Sequence, residues 1–451
     1  MSTTLPSTIF HSGSSIGSFS SMIVIGAQWG DEGKGKVIDF LAKGADLIVR
    51  SQGGNNAGHT VLVGKDEYKL HLVPSGILQS SCLCYLSGGV VIDPKVLVEE
   101  IQILEGRGIC LKERLWISPY ANVIMPYHRL KDEFFEKQKG KNGIGTTRCG
   151  IGPCYADKAH RVGVRIKDLM NLEHFYVLLK SHLSLLNERL MKEYGKRAFD
   201  LETIFSQYRV YAKAIESFIE EDMEWKISEA VDSGKVIVFE GAQGALLDNT
   251  FGTVPYVTSS STLAGGICTG SAIGPTRIKH TLAVVKAYTT RVGNGPMPTE
   301  FIEGQSPIDI AKGREVGTTT GRERRIGWFD AVLTKTSLRM NGADSIALMK
   351  LDILDSLEKI KICVSYLYRG KTYDHVPGIA VSLDEVTPIY KEVDGWQSPT
   401  GDIRKFEDLP INARAYICYI EEFCNVSVAL ISVGPARRQT ILLDNHWPIC
   451  F

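Results

Sequence analysis

The sequence has no surplus of charge of either sign, because its 451 residues contain 51 lysines and arginines and 51 aspartates and glutamates. A balanced chain has no overall attraction to nucleic acid or to an anionic membrane, so an anion site must be a local cluster. The chain also lacks an apolar run long enough to cross a bilayer. Since 44% of the residues are hydrophobic, we expect a globular protein with a substantial core.

The ten cysteines form no CxxC pair and no cysteine–histidine group at zinc spacing. This pattern is typical of free thiols in a reducing compartment, so we expect a cytoplasmic location. Residues 1–21 contain no lysine or arginine and lack the continuous apolar region of a signal peptide. We interpret 1–21 as a disordered extension rich in serine and threonine, and 22–451 as a single domain.

The stretch 22–41 predicts a strand, a glycine-rich turn and a helix. Residues 22–25 are a short apolar run, and the turn contains four glycines, an acid pair and two lysines before an amphipathic pattern begins. This layout directs backbone N–H groups and a helix N-terminus at a phosphate. The turn is not a standard P-loop, because neither Lys34 nor Lys36 is followed by serine or threonine.

Asp31 is an unusual residue in such a turn. A carboxylate beside a phosphate repels it unless the carboxylate binds a metal or accepts a proton. The alternative is an ordinary strand-to-helix turn with solvated charges. We favour the functional interpretation because glycines, acids and lysines are interleaved within a few residues.

Strand patterns alternate with helical patterns over the rest of the chain. Apolar runs predict strands at 46–50, 235–239, 282–285, 345–349 and 426–433. Amphipathic patterns predict helices after Asp93 and within 172–194 and 209–231, whereas 139–157 reads as a loop. We therefore predict an α/β fold with a large, mostly parallel central sheet, flanking helices, helical and loop inserts, and a P-loop-like phosphate loop.

Ligands of such sheets bind beyond the carboxyl ends of the strands. Glycine-rich or polar loops follow predicted strands at 30–36, 53–60, 241–244, 350–352 and 432–437. They recur over nearly the whole chain, which favours one large domain over independent modules.

Three polar segments suggest a chemistry, each with a plainer alternative. His59 lies between glycine and threonine in a loop, which suits an acid or electrostatic group, but a surface histidine fits equally well. Residues 318–325 combine hydroxyls with arginines, which suits carboxylate or phosphate recognition or a solvated basic turn. Asp352, two residues after Lys350, could accept from two N–H groups of guanine or could cap a helix.

Six motifs in this order resemble the adenylosuccinate synthetase family. They are GAQWGDEGKGK, QGGNNAGHT, IGTTRCGIGPCYADKAHR, FEGAQG with PYVTSS, TTTGRERR-IGWFD and KLDILD, and the resemblance extends from about Met22 to Asn445. It implies an Mg²⁺-requiring, GTP-dependent ligation of IMP and L-aspartate to adenylosuccinate, with release of GDP and phosphate. The family's reaction proceeds through 6-phosphoryl-IMP and is the first committed step of AMP synthesis from IMP.

The resemblance also implies a role for each matching position. Catalytic roles fall to Asp31, Lys34, His59 and Gln243, and metal binding to Asp31 and Gly58. IMP would be bound by Asn56, Thr147, Arg161, Gln243, Thr258 and Arg322, and aspartate by Thr318, Thr319, Thr320, Arg322 and Arg324. GTP would be bound by Gly30, Glu32, Gly33, Lys34, Gly35, Lys36, Gly58, Thr60, Arg324, Lys350, Asp352, Ser432 and Gly434.

The resemblance further implies a homodimer in which Arg161 reaches the neighbouring active site. The chain departs from the family's usual pattern at Arg148 and Cys149, at Asn55 and at Ala436, and the last change would leave Arg437 without an acidic neighbour. None of these departures removes a residue assigned to the chemistry.

Two other function classes remain as hypotheses at this stage. A GTP-binding switch would need the guanine and phosphate loops but not His59, Gln243 or Arg161. An inactive scaffold would not need Asp31 or Lys34. All five residues are present, which favours an active ligase.

Overall fold

The structure is a computed structural model that describes residues 20–140, 143–194, 199–302, 304–308, 313, 315 and 321–443. The strands of this part of the chain are β1 Ser21–Gly26, β2 Leu47–Arg50, β3 His59–Val63, β4 Asp66–Leu70, β5 Leu83–Leu86, β6 Val91–Ile92, β7 Leu115–Ile117, β8 Asn122–Val123, β9 Ile237–Glu240, β10 His280–Lys286, β11 Thr289–Arg291, β12 Arg325–Gly327, β13 Phe329–Asp330, β14 Ser345–Met349, β15 Lys359–Tyr368, β16 Lys371–Tyr373, β17 Thr387–Asp394, β18 Ser427–Ser432 and β19 Thr440–Leu442.

The described α-helices are α1 Lys34–Leu41, α2 Pro94–Gly106, α3 Pro126–Lys139, α4 Ile151–Ala159, α5 Ile166–Met170, α6 Leu172–Tyr194, α7 Leu201–Ile215, α8 Met223–Asp232, α9 Ala264–Gly270, α10 Ala331–Asn341 and α11 Ile411–Cys424. Helix α2 begins where the sequence predicts it. Asp93 caps it by accepting from the N–H groups of Lys95 and Val96.

A nine-stranded sheet forms the centre of the fold, in the order β19-β18-β14-β10-β1-β9-β2-β5-β7. All its neighbouring strands are parallel except β19, which runs antiparallel to β18. Short strands form the smaller sheets β11-β12, β3-β4 and β6-β8, and β15 pairs with β13, β16 and β17. The predicted α/β class with a mostly parallel sheet is confirmed.

Alternate side chains of the central strands enter two separate cores. In β1, Met22 and Val24 pack on one face, whereas Ile23 and Ile25 pack on the other. Helices α2, α6 and α7 cover the first face, and α8, α10 and α11 cover the second. A sheet buried on both faces needs continuously apolar strands, which is why the sequence reveals these strands so clearly.

The prediction of a loop at 139–157 is partly wrong, because α4 begins at Ile151. Ile151 and Cys154 are one helical turn apart and pack against Val91 and Ile124. A proline is tolerated in the first turn of a helix, so Pro153 does not prevent α4 from forming. The segment that its small residues suggest to be a loop also contains these two apolar residues, which form a short stripe on one face of α4.

The single helical pattern predicted for 209–231 is also wrong, because α7 ends at Ile215 and α8 begins at Met223. Between them, Ile219 pairs with Ile117 in β7, and the N–H of Glu220 donates to the carbonyl of Ile117. Because this contact with the edge of the central sheet requires extended backbone at Ile219, one continuous helix cannot form across 209–231. In contrast, α6 matches the pattern predicted at 172–194.

Within the described ranges, the search for a helix long and apolar enough to cross a membrane found none.

Candidate active site

A cavity of about 670 Å³ lies where several central strands end. The loops after β1, β2, β9, β14 and β18 all contribute to its wall, as the sequence predicts for the carboxyl edge of a parallel sheet. The candidate residues that line it are Gly30, Asp31, Glu32, Gly33, Lys34, Gly35, Lys36, Asn56, Gly58, His59, Thr60, Thr147, Gln243, Thr258, Arg322, Arg324, Lys350, Asp352, Ser432 and Gly434.

The turn after β1 has the geometry of an anion site. Gly30, Asp31 and Gly33 have left-handed backbone, with φ of 81°, 58° and 104°. Successive residues of this kind form concave turns of N–H groups that accept anions. Gly33 also precedes the first residue of α1, and its φ is one that only glycine adopts without strain. The turn and the start of the helix therefore face the cavity together.

Glu32, the residue after Asp31, stabilises this turn from its buried side. Glu32 is fully buried, and its Oε1 accepts from the N–H groups of Gln28 and Gly30 at 3.0 and 2.9 Å. Its Oε2 lies 2.6 Å from the Nζ of Lys34. Both carboxylate oxygens of Glu32 are thus engaged within the protein, and the predicted place of Glu32 in the GTP site stays a prediction.

Asp31 faces the cavity in an ion pair with Arg324, whose Nε donates to Oδ2 at 2.8 Å. The Nη1 of Arg324 donates at 2.8 Å to Glu315, which is fully buried. Burial lowers the pKa of Arg324, but the two carboxylates outweigh it and raise the pKa. Arg324 thus remains charged and fixes the orientation of Asp31.

The residues predicted for IMP lie close to one another. The Nδ2 of Asn56 donates to the Oγ1 of Thr258 at 3.3 Å, which joins the loops after β2 and β9. Arg322 donates through Nη2 to the carbonyl of Gly145 at 2.8 Å, in the same loop as Thr147. These contacts bring together segments that are more than a hundred residues apart in the chain.

Gln243 is an anomaly within this group. Its backbone φ is 57°, and both polar atoms of its amide are buried without a hydrogen-bond partner in the part of the chain that the structure describes. Buried polar atoms are nearly always paired, so the amide of Gln243 is an exception among the residues of the cavity wall.

Sequence and structure comparisons converge on one family. The family model for adenylosuccinate synthetase matches residues 23–441. The chain belongs to the adenylosuccinate synthetase family. Adenylosuccinate synthetase from Heliobacterium modesticaldum is 51% identical over 424 residues, with 94% of this chain and 99% of the relative covered. The enzyme from Clostridium kluyveri is 48% identical over 427 residues, with 94% and 100% covered.

A solved structure agrees with this assignment. Fully ligated adenylosuccinate synthetase from Plasmodium falciparum matches with a TM-score of 0.88 and 37% identity, covering 94% of this chain and all of that one. Adenylosuccinate synthetases ligate IMP and aspartate in a GTP-dependent reaction of AMP biosynthesis, and the chain is an enzyme of this family. The predicted family, reaction and enzyme class are confirmed.

Not every residue implied by the family resemblance lies in the cavity. Arg161 lies outside its wall, on an exposed turn after α4, with φ of 66°. Thr318, Thr319 and Thr320 lie outside the described residues. The predicted contacts of aspartate with these threonines therefore stay predictions.

Lys36 contacts another loop of the cavity wall, and its predicted contact with GTP stays a prediction. Its ammonium donates to the Oγ of Ser432 and to the carbonyls of Gly434 and Gln439, at 2.7, 2.8 and 2.9 Å. An ammonium has three N–H bonds, and its backbone N–H is bound to Gly33. Burial lowers the pKa of Lys36 to about 7, partly offset by Asp352. Lys36 ties the phosphate turn to the loop after β18.

A second interaction connects the helix of the phosphate turn, α1, to the loop after β18. Asp39 of α1 accepts two hydrogen bonds from Arg437, at 2.7 and 2.6 Å. Arg437 lacks an aspartate at position 436, as the sequence shows, but it has an acidic partner from elsewhere in the chain. The partner comes from the phosphate-loop helix.

The departure at Arg148 and Cys149 lies in a loop that two acids of α3 organise. Asp132 accepts from the Oγ1 of Thr146 and the N–H of Gly150, both at 2.9 Å. Glu136 accepts from the backbone N–H groups of 144–146. The backbone of this loop is thus held by groups that the departure leaves intact.

Sequence reasoning missed the buried carboxylate of Glu315. Lys286 and Lys350 lie 3.1 and 2.6 Å from it, and the hydroxyl of Tyr288 donates to it. Burial by itself would raise the pKa of Glu315, but these lysines and Arg324 hold it well below its usual range. No motif marks Glu315 in the sequence, because its partners come from the end of β10 and the residues after it, from the residue after β14 and from the segment before β12.

Proposed function

We propose that the cavity is the ligase active site and that the candidate residues on its wall bind and activate IMP, aspartate and GTP. One observation carries this proposal: twenty candidate positions from separate loops line one cavity. A chance set of surface residues would be scattered over the molecule. The volume of the cavity also falls within the range of small-molecule sites.

In the first step, Asp31 accepts the proton from N1 of IMP, and O6 attacks the γ-phosphorus of GTP. The bond from that phosphorus to the β–γ bridging oxygen breaks, GDP leaves and 6-phosphoryl-IMP forms. His59 stabilises charge on the transferring phosphoryl group, and Lys34 and the start of α1 face the same phosphates. Support comes from the joint position of Asp31, His59 and the phosphate turn on one wall.

In the second step, the amino group of L-aspartate attacks C6 and phosphate leaves. Phosphorylation is needed because an oxo oxygen is a poor leaving group and phosphate is a good one. Gln243 would bind the purine, which would give its unpaired buried amide a partner. Asn56, Thr147, Thr258 and Arg322 complete the IMP side, and Arg324 with residues 318–320 would meet aspartate.

The loops after β14 and β18 form the proposed guanine site. Asp352 would accept from N1–H and the exocyclic amine of guanine, and the stem of Lys350 would pack on the ring. Ser432 and Gly434 lie on the same wall and are fixed there by Lys36. This combination selects guanine because adenine has no such pair of donors.

We infer that Mg²⁺ is the cofactor. Mg²⁺ prefers oxygen ligands and is usually held by one or two carboxylates together with substrate phosphates. Asp31 and the carbonyl of Gly58 on the cavity wall fit this preference. When bound, the ion would neutralise charge on the phosphates.

We also propose one domain over 22–451 and a cytoplasmic location. The two cores on either face of a single sheet support the first, and the nine free cysteines among the described residues support the second.

The reaction is tested by following purine absorbance with IMP, aspartate, GTP and Mg²⁺, and by omitting each in turn. We expect an absorbance change that requires all four components, and less than about a tenth of the rate with ATP in place of GTP, since one lost charged hydrogen bond costs about 1.5–3 kcal/mol. A change that persists without Mg²⁺ would contradict the metal assignment. Equal rates with ATP and GTP would contradict the guanine assignment.

We propose further that the enzyme is a homodimer in which Arg161 completes the partner's site. The exposed position of Arg161 outside its own cavity supports this arrangement. The test co-expresses two inactive variants, Arg161→Leu and Asp31→Asn. Random pairing gives half hybrid dimers, each with one intact site, so activity should return to about a quarter of wild type.

The matched control co-expresses Asp31→Asn with His59→Asn. Both residues belong to the same subunit's cavity, so their hybrids have no intact site and should stay inactive. If the Arg161 pair also stays inactive although hybrid dimers are isolated, Arg161 does not act across subunits.

A further inference from the structure

The imidazole of His59 is held from its buried side by a carboxylate to which sequence reasoning gave no role. The Nδ1 of His59 lies 2.6 Å from the Oε1 of Glu240, and the two residues are 9% and 1% exposed. A carboxylate accepts hydrogen bonds, so Nδ1 must carry the proton in this pair. Glu240 is the last residue of β9, and His59 is the first residue of β3.

Glu240 is itself fixed by its neighbours. Ser75 donates from its backbone N–H to Oε2 at 2.9 Å and from its Oγ to Oε1 at 3.0 Å. Burial by itself would raise the pKa of Glu240, but His59, Arg50 and the N–H of Ser75 outweigh it and lower the pKa. The carboxylate is therefore charged and has little freedom to rotate.

His59 also lines the cavity at the phosphate turn. A Cβ added at Gly35 would come within 2.9 Å of the Cβ of His59 and 3.4 Å of its Cγ, so the side chain packs directly against the start of α1. Because Nδ1 is committed to Glu240, Nε2 is the ring nitrogen left for a ligand at the phosphate turn.

We propose that Glu240 is a positioning residue that fixes the ring and tautomer of His59, so that Nε2 is presented to the transferring phosphoryl group. The proposal rests on the role of His59 given above. A fixed carboxylate behind the ring orients it, as carboxylates do behind metal-bound and catalytic histidines. Ser75 and Arg50 hold that anion in place.

The first test is Glu240→Gln, which keeps the shape of the side chain and removes its charge. We expect kcat to fall about 10- to 100-fold, the range for groups that orient a reactive residue. The KM values for IMP and GTP should change by less than about threefold, because Glu240 does not line the cavity. A loss that appears in both KM values instead of kcat would overturn the proposal.

Glu100→Gln is the matched control. Glu100 is also buried and lies in the same charged cluster as Arg50, and within the described ranges it accepts from the backbone N–H groups of His71, Leu72 and Val73. Its replacement also removes a buried carboxylate without touching His59. We expect kcat to stay within about threefold of wild type, since no reactive group loses its partner. Equal losses in both variants would mean a structural role for Glu240.

A double-mutant cycle separates this proposal from the role of His59. We expect His59→Asn to abolish most activity and Glu240→Gln to add no further loss in that background. If His59→Asn stays active, the proposed role of His59 fails. If His59→Asn is inactive but Glu240→Gln alone is fully active, or if the two losses multiply, only the positioning role fails.

The tautomer provides a readout that needs no stable Glu240 variant. Solid-state NMR of enzyme labelled with ¹⁵N-histidine distinguishes protonated from unprotonated ring nitrogens, and the spectrum of His59→Asn identifies the signals. We expect the neutral ring of His59 to carry its proton on Nδ1 in the wild type. A neutral ring that carries its proton on Nε2 and none on Nδ1 would overturn the proposal even if Glu240→Gln fails to fold.

Discussion

Asp31→Asn is expected to lower kcat by about 10³- to 10⁴-fold, at the upper end of the range for a lost general base. An amide has the shape of the carboxylate but cannot accept the N1 proton of IMP or bind a cation with its charge. Arg324 donates to Asp31 at 2.8 Å and also pairs with Glu315. We therefore expect Arg324 to keep its position and the turn around residue 31 to keep its conformation in the variant. Steady-state kinetics with saturating substrates measures the effect.

The fold and the binding site of this variant should stay intact. We expect Kd values for IMP and GTP within about fivefold of wild type by calorimetry, since the change preserves the shape of the side chain. Asp330→Asn is the control with the same chemical change: Asp330 is buried, it caps α10, and it does not line the cavity. That control should retain most of kcat. Substantial activity of Asp31→Asn would remove its assignment as proton acceptor.

Asp352→Asn is expected to raise the KM for GTP about 10- to 100-fold, because a hydrogen bond to a charged group contributes about 1.5–3 kcal/mol. The KM for IMP should change little. The sharpest measurement compares GTP with ITP, which lacks the exocyclic amine. The wild type should prefer GTP, and the kcat/KM ratio of the two nucleotides should approach one in the variant.

Asp355→Asn controls for damage to the turn that carries Asp352. Asp355 is three residues further on, and its carboxylate accepts from Trp396 and from the backbone and hydroxyl of Thr400. Its loss should lower the unfolding temperature without changing the preference for GTP over ITP. If Asp352→Asn weakens IMP and GTP equally, Asp352 is structural.

The sequence by itself determined the fold class and most of the cavity wall. A sheet buried on both faces needs apolar strands, so β1, β9, β10, β14 and β18 are visible as apolar runs. In a parallel sheet the loops that follow such strands meet at one edge, which is why residues predicted from separate motifs line one cavity.

Predictions of secondary structure from the local sequence pattern were wrong where a contact with a distant part of the chain determines the backbone conformation. The contact of Ile219 with β7 breaks the helix predicted across 209–231. The opposite happened in α4, where Ile151 and Cys154 form a helix in a segment rich in small residues because they have an apolar surface to cover. In both cases packing overrides the local preference.

Only the tertiary structure determined which polar residues form hydrogen bonds and ion pairs with each other. Lys36 and Lys34 look equivalent in the glycine-rich turn, yet Lys36 is tied to the loop after β18 and Lys34 to its neighbour Glu32. Glu240 is 181 residues from His59 in the chain but 2.6 Å from its ring. Hydrogen bonds and ion pairs act over a few ångströms between atoms, so they depend on strand order and loop path, which periodicity does not encode.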